Sequence, residues 1–171
     1  MTQAKPLVGV LMGSDSDWAV MQRCVEQLGH FGIECEARVL SAHRSPRAVD
    51  EYAASAADRG IRVIIAAAGM SAALAGAVAA RTQLPVIGVA VSSGPLAGID
   101  ALVSTVQMPP GVPVGCTGLD AAGAINAAIY AAEILALSDA SLAEKLKQHK
   151  SAQAEKTLEK DRKLQEKPGS G

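Results

Sequence analysis

Apolar runs of strand length alternate with helix-length segments along the chain. Pro6 to Met12 (PLVGVLM) is continuously apolar, as a strand buried on both faces requires. Trp18 to Phe31 carries Trp18, Met21, Val25 and Leu28 at close to helical spacing, with Gly29 and Gly32 as stop signals. Glu34 to Leu40 predicts a second strand. Pro46 to Ala57 predicts a helix with Ser45 as its cap and Pro46 in the first position, where a missing N–H costs nothing. Further strands are expected at 62–67, 84–91 and 112–116, and further helices at 72–81, 98–106 and 121–137. Strict β–α alternation argues for a parallel sheet with helices on both faces, an α/β protein of three α/β/α layers.

Residues 141–167 change character to Lys, Glu and Gln with sparse leucines. They read as a solvated helix packed on one edge or on a neighbouring subunit, with Glu159 and Lys163 as a favourable i,i+4 pair. Residues 168–171 read as a frayed tail. With no internal repeat, the whole chain 1–171 is one domain with its core at 6–140. Residues 121–136 (AAGAINAAIYAAEILA) are dominated by small side chains, which permit close helix approach either inside one subunit or at an oligomer interface.

Composition narrows the function. Of 171 residues, 49% are hydrophobic and 19% charged, so the bulk of the chain has the makings of a buried core. The formal net charge of -1 gives no electrostatic footprint for nucleic acid and no polybasic patch for a membrane. Aromatics are only 2%, too few for a single-strand stacking platform. Cys24, Cys35 and Cys116 have no CxxC spacing and suggest no zinc site; as small apolar side chains they need no special role. The N-terminal apolar run is short and leads into a polar motif, unlike a signal peptide, and the expected compartment is the cytoplasm.

Ligands of open parallel sheets bind beyond the carboxyl ends of the strands, where three turns attract attention. After the first strand comes Gly13-Ser14-Asp15-Ser16-Asp17-Trp18. Its hydroxyls and the following helix N-terminus can cradle a phosphate, and Asp17 can bind a ribose diol; alternatively these residues simply cap the helix. After the second strand comes Ser41-Ala42-His43-Arg44-Ser45-Pro46. Arg44 can hold a phosphate by two hydrogen bonds, and a histidine beside it suits proton transfer next to an anionic substrate; an ordinary surface turn fits equally. After the third strand, the small residues of Gly69-Met70-Ser71-Ala72-Ala73-Leu74-Ala75-Gly76 let backbone approach a flat ligand, or Ser71 merely caps a helix. No GxSxG elbow, Walker loop or GxGxxG fingerprint occurs.

Taken together, LMGSDSDW (11–18), SAHRSP (41–46), LPVIGV (84–89), QMPPGVPV (107–114) and AGAINAA (122–128) resemble the ordered signature blocks of one family. It is the family of N5-carboxyaminoimidazole ribonucleotide mutases and aminoimidazole ribonucleotide carboxylases of purine biosynthesis. The resemblance spans about 6–140. It implies a flavodoxin-like fold, a homo-octamer with sites at subunit contacts, and neither metal nor organic cofactor. It also implies a ribonucleotide substrate with carbon dioxide as the transferred fragment. Carried over by motif, Ser14, Asp17 and Arg44, with Ser41, Ala42, Gly69 and Ser71 around them, would bind substrate, and His43 would be the general acid/base.

The third turn departs from the mutase pattern. A GGAAHLPG-like loop is typical there, whereas Ala73 stands at the histidine position and Ala75 at the proline. Ser71, Leu74 and Gly76 look more like the branch that carboxylates aminoimidazole ribonucleotide directly, although that branch usually has Lys where this chain has Arg44. A non-catalytic nucleotide-binding module is a third reading; it could keep Ser14, Asp17 and Arg44 but would not need His43.

Overall fold

In the computed structural model, which describes residues 5–166, strands β1 (Val8–Met12), β2 (Cys35–Val39), β3 (Val63–Gly69), β4 (Val86–Val91) and β5 (Gly115–Leu119) form one parallel sheet. The order is β2-β1-β3-β4-β5. In register, Val8 of β1 lies opposite Cys35 of β2 and Val63 of β3. β1 and β4 are buried at every position, as their continuous apolar runs require, while edge strand β2 is half-buried or exposed.

Helices α1 (Trp18–Phe31) and α5 (Asp120–Ala136) cover one face of the sheet, and α6 (Ala140–Gln165) packs outside them. Helices α2 (Pro46–Ser55), α3 (Leu74–Ala79) and α4 (Ile99–Val106) cover the other. This is the expected three-layer α/β/α, flavodoxin-like arrangement, with the strand order reversing between β1 and β3.

The buried stripe of α1 is Met21, Cys24, Leu28 and Phe31. Full burial of a large apolar side chain in such a stripe contributes about 1.5–3 kcal/mol. Gly29 lies inside the helix; the stop is Gly32, whose φ of 73° lets its N–H and that of Ile33 close back on Gly29 and Leu28. Trp18 does not join the stripe and is 43% exposed. The small-residue face of α5 is buried inside this chain: Gly123, Ala124, Ala127, Ala128, Ala131 and Ala132 are all covered. A Cβ on Gly123 would come 2.6 Å from the Gly118 carbonyl oxygen.

Several local expectations are corrected. β5 begins at Gly115 rather than at 112, because Pro113 has no N–H for the ladder and Val112 N–H turns back to the Pro109 carbonyl. α3 is shorter than expected, since Ala73 N–H bonds to the Ser71 carbonyl in a tight turn before the helix starts. Ser45 holds the N-cap position of α2, but its side chain makes no capping bond, and Oγ instead accepts from Ser41 N–H at 3.0 Å; Ser71 lies two residues before Ala73, the N-cap residue of α3.

α6 starts at Asp139, whose carboxylate accepts the N–H groups of Ser141 (2.9 Å) and Leu142 (3.1 Å). Leu142 and Leu146 are buried, Lys145 Nζ donates to the Phe31 carbonyl at 2.7 Å, and His149 meets the Phe31 ring edge-on. From Ser151 onward the helix is exposed along its described length. The expected Glu159–Lys163 pair forms at 2.5 Å. The expected frayed tail at 168–171 lies outside the described residues. Among those residues, no helix is long and apolar enough to cross a membrane.

Candidate active site

Strands β1, β2, β3 and β4 all deliver their carboxyl ends to one edge of the sheet. There the turns at 13–17, 41–45 and 69–73, together with Ser93 beyond β4, enclose a cavity of about 510 Å³. A volume of this order holds a small organic ligand.

The first turn is organised by its own side chains. Gly13 N–H bonds to the Ala67 carbonyl at 3.0 Å, tying the turn to β3. Asp15–Asp17 form a single 3-10 turn closed by a capping box: Ser14 Oγ accepts from Ser16 N–H, and Asp17 Oδ2 accepts from Ser14 N–H at 3.0 Å. The Ser14 hydroxyl also donates to Asp15 Oδ1 (3.1 Å) and accepts from the Ser16 hydroxyl (3.0 Å). Asp17 is 5% exposed. Burial pushes its carboxyl above the usual range, against the opposing pull of the Ser14 and Gly13 amides and the Arg44 charge.

The second turn is linked to the first by Arg44. Its Nη2 donates to the Gly13 carbonyl at 2.7 Å and its Nε to Ser41 Oγ at 3.3 Å. Ser41 Oγ also accepts the Arg44 amide at 3.2 Å. These bonds fix the guanidinium beside the first turn, where Arg44 lines the cavity. His43 lines the same cavity and is exposed in the single chain.

The third turn is held by backbone rather than by side-chain bonds. Met70 adopts φ 53° and Ser71 is exposed. Gly69 is there because a side chain would not fit: a Cβ would collide with Ser93 Oγ and approach the Val91 carbonyl to 3.0 Å. Ala73 lines the cavity and offers no group that carries a proton.

The structure thus brings His43, Ser14, Asp17, Arg44, Ser41, Ala42, Gly69 and Ser71 around one space. Sequence reasoning missed Ser93. Its signal was available, since Ser92-Ser93-Gly94 also follows a strand's carboxyl end, but the segment matches no motif. A second groove of about 500 Å³ lies between α5 and α6. There Lys150 pairs with Glu133 at 2.8 Å, and none of the residues singled out from the sequence lines it. Among the described residues, no group of three or more His, Cys, Asp and Glu side chains is placed to hold a metal ion.

A doubly wound sheet with hydroxyls, a helix N-terminus, an arginine and a buried carboxylate at its switch point has the donors and acceptors that a phosphorylated sugar would need. Comparison with known proteins makes the assignment specific. The model of the AIR carboxylase family matches residues 7–156, and the chain belongs to that family. It is 49% identical over 155 residues to the N5-carboxyaminoimidazole ribonucleotide mutase of Bacillus subtilis (strain 168), covering 91% of this chain and 96% of that protein. It is 50% identical over 145 residues to the mutase of the same name from Pyrococcus abyssi, covering 85% and 82%. A crystal structure of Treponema denticola PurE superposes with a TM-score of 0.82 at 35% identity, covering 93% of this chain and 98% of that one.

Proposed function

We propose that this protein converts N5-carboxyaminoimidazole ribonucleotide to its isomer carboxylated at ring carbon 4, a step of purine biosynthesis. The observation that carries the reading is that His43 and Arg44 line one cavity together with the Ser14–Asp17 turn. Its relatives named as N5-carboxyaminoimidazole ribonucleotide mutases support it.

The phosphate is held by the Ser14 and Ser16 hydroxyls, the first amides of the turn and Arg44. Asp17 accepts from the ribose hydroxyls. The imidazole then extends toward Gly69, Ser71 and Ser93, within reach of His43. Protonation of the carbamate nitrogen by His43 accompanies cleavage of the N–carboxyl bond and releases carbon dioxide and the neutral amine. Ring carbon 4 attacks the retained carbon dioxide, forming the new C–C bond. His43, now neutral, removes the proton from that carbon and restores the aromatic ring. One proton leaves carbon and one reaches nitrogen, so the reaction is a balanced isomerisation. Holding carbon dioxide beside its acceptor supplies a high effective molarity.

Retention of carbon dioxide calls for a closed site, and His43 is exposed in the single chain. The protein is therefore read as a homo-oligomer, an octamer by its family resemblance, in which neighbouring copies close the cavity. Exposed apolar side chains near these turns, Trp18 at the start of α1, Met70 in the third turn and Leu96 in the loop after β4, support this. The metabolic substrate and three cysteines without disulfides fit a cytoplasmic enzyme.

Ala73 favours a second reading, direct carboxylation of aminoimidazole ribonucleotide, since the mutase-type histidine is missing from the third turn. A paired assay separates the two. One arm offers the carbamate ribonucleotide without bicarbonate; the other offers aminoimidazole ribonucleotide with saturating bicarbonate. Efficient turnover in the first arm alone is expected, whereas turnover in the second alone assigns a carboxylase. Sedimentation velocity on the same preparation reads the oligomer.

A further inference from the structure

Among the described residues, three that are not glycine have a positive φ: Met70 (53°), Ala97 (48°) and Asp120 (50°). A left-handed conformation at such residues costs free energy and persists only where the surroundings enforce it. All three bear on one wall of the cavity. Met70 lines it, Ala97 lies in the 92–98 loop beyond β4, and Asp120 grips the start of that loop.

The grip is bidentate. Asp120 Oδ1 accepts Ser92 N–H at 2.7 Å, and Oδ2 accepts the Ser92 hydroxyl at 2.6 Å. An acidic residue in the first turn of a helix ordinarily serves its own helix. Here α5 has no side-chain cap, and both Asp120 oxygens face Ser92, 28 residues away in sequence. The neighbouring packing allows little slack. A Cβ on Gly98 would come 2.8 Å from Ser92 Oγ, so the loop folds back closely on its own origin. The next residue, Ser93, lines the cavity with its hydroxyl against the Gly69 backbone, and Met70 reaches across toward Gly94.

We infer that Asp120 is a positioning residue that acts through Ser92 to hold the Ser93 hydroxyl at the imidazole end of the substrate cavity. Resting on the ribonucleotide reading above, this adds Ser93 as a substrate contact and explains why a strained, non-glycine residue starts α5. Without the clamp, Ser93 is free to swing away from Gly69 and the base end of the cavity loses a fixed donor.

The test uses Asp120→Gly, Ser93→Ala and the double variant of the full-length protein. Glycine takes a φ of 50° without strain, so Asp120→Gly removes the two acceptors while easing the backbone. Hydrogen exchange across 92–98 is expected to quicken in Asp120→Gly, with little loss of melting temperature. KM for the carbamate ribonucleotide, and the calorimetric Kd for aminoimidazole ribonucleotide, are expected to rise roughly three- to tenfold, the range of one positioned hydrogen bond. In the Ser93→Ala background the same substitution should add less than about twofold, since the contact it positions is already gone. Asp120→Asn, which tolerates the left-handed conformation and keeps one acceptor, should recover part of the loss. Unchanged exchange at 92–98, unchanged KM and Kd, or effects that multiply in full in the double variant would each overturn the inference. Failure of the wild type to turn over or bind either ribonucleotide sinks the functional reading instead, and the exchange data still judge the clamp.

Discussion

The two halves of the cavity are built on different principles. The half made by turns 13–17 and 41–45 is a dense web of side-chain bonds within each turn, Ser14 with Ser16, Asp17 with Ser14 and Arg44 with Ser41, joined by one link from Arg44 to the Gly13 carbonyl. The half made by 69–73 and 92–98 has small residues, positive φ angles, and a clamp from the distant Asp120. The first half suits the charged, constant part of a ribonucleotide, where fixed donors must meet a phosphate. The second suits a flat ring, where backbone must come close and bulk must be excluded. On the proposed reading, substrate discrimination belongs to the second half, and that is also where the chain departs from its expected family pattern, at Ala73.

His43→Asn should lower kcat by roughly 10²–10⁴-fold, the usual weight of general acid–base catalysis, while calorimetric binding of aminoimidazole ribonucleotide persists. Surviving turnover would remove His43 from the chemistry and leave a cavity that only binds. Arg44→Ala should weaken ribonucleotide binding by about 1.5–3 kcal/mol through loss of charge-assisted contacts. If affinity for a ribose lacking the phosphate falls equally, Arg44 shapes the turn rather than holding the anion. Gly69→Ala tests the other half. The added methyl must displace Ser93, and overpacking of this kind costs about 1–3 kcal/mol of stability, read by denaturant unfolding, alongside a raised KM.

Asp17→Asn sharpens the comparison through pH. Burial raises the Asp17 pKa, so the native state holds this proton more tightly than the unfolded chain. The stability contribution is present below the unfolded value near 3.8 and is lost as pH rises through the raised folded value. The unfolding free energy of the wild type minus that of the Asn variant should therefore fall across that window and stay flat above it. A difference that rises with pH would mean that the amide and Arg44 contacts outweigh burial. The smallest expected change is for Asp15→Asn. Asp15 Oδ1 occupies the Ser14 hydroxyl and the Ser16 amide, both groups of the proposed phosphate cradle. Easing that competition at an exposed site should tighten binding of inorganic phosphate by less than about threefold.

Much of this architecture was legible from pattern alone. Runs such as VGVLM and VIGVAV admit few alternatives to buried parallel strands, and the element order follows. The polar turns after β1 and β2 were legible because their donors lie within a few residues of one another. The start of β5 was misplaced because an apolar run does not reveal which amides a proline withholds. Trp18 was assigned to a buried stripe by period, yet it stands at the helix start, where the core does not reach. Ser45 and Ser71 read as caps because a serine before a helix often is one; in place, Ser45 secures the 41–45 turn.

The amino-acid sequence by itself determined the layers, the strand-end location of the cavity, and most of the polar side chains that line it. Those features depend on periodicity and on neighbours in the chain, which a sequence states directly. Only the tertiary structure decided that the small-residue face of α5 is used up inside the subunit, that Ser93 belongs to the cavity, and that Asp120 serves Ser92 rather than its own helix. Each of these depends on elements far apart in the chain meeting at contact distance, a relation that no local pattern encodes.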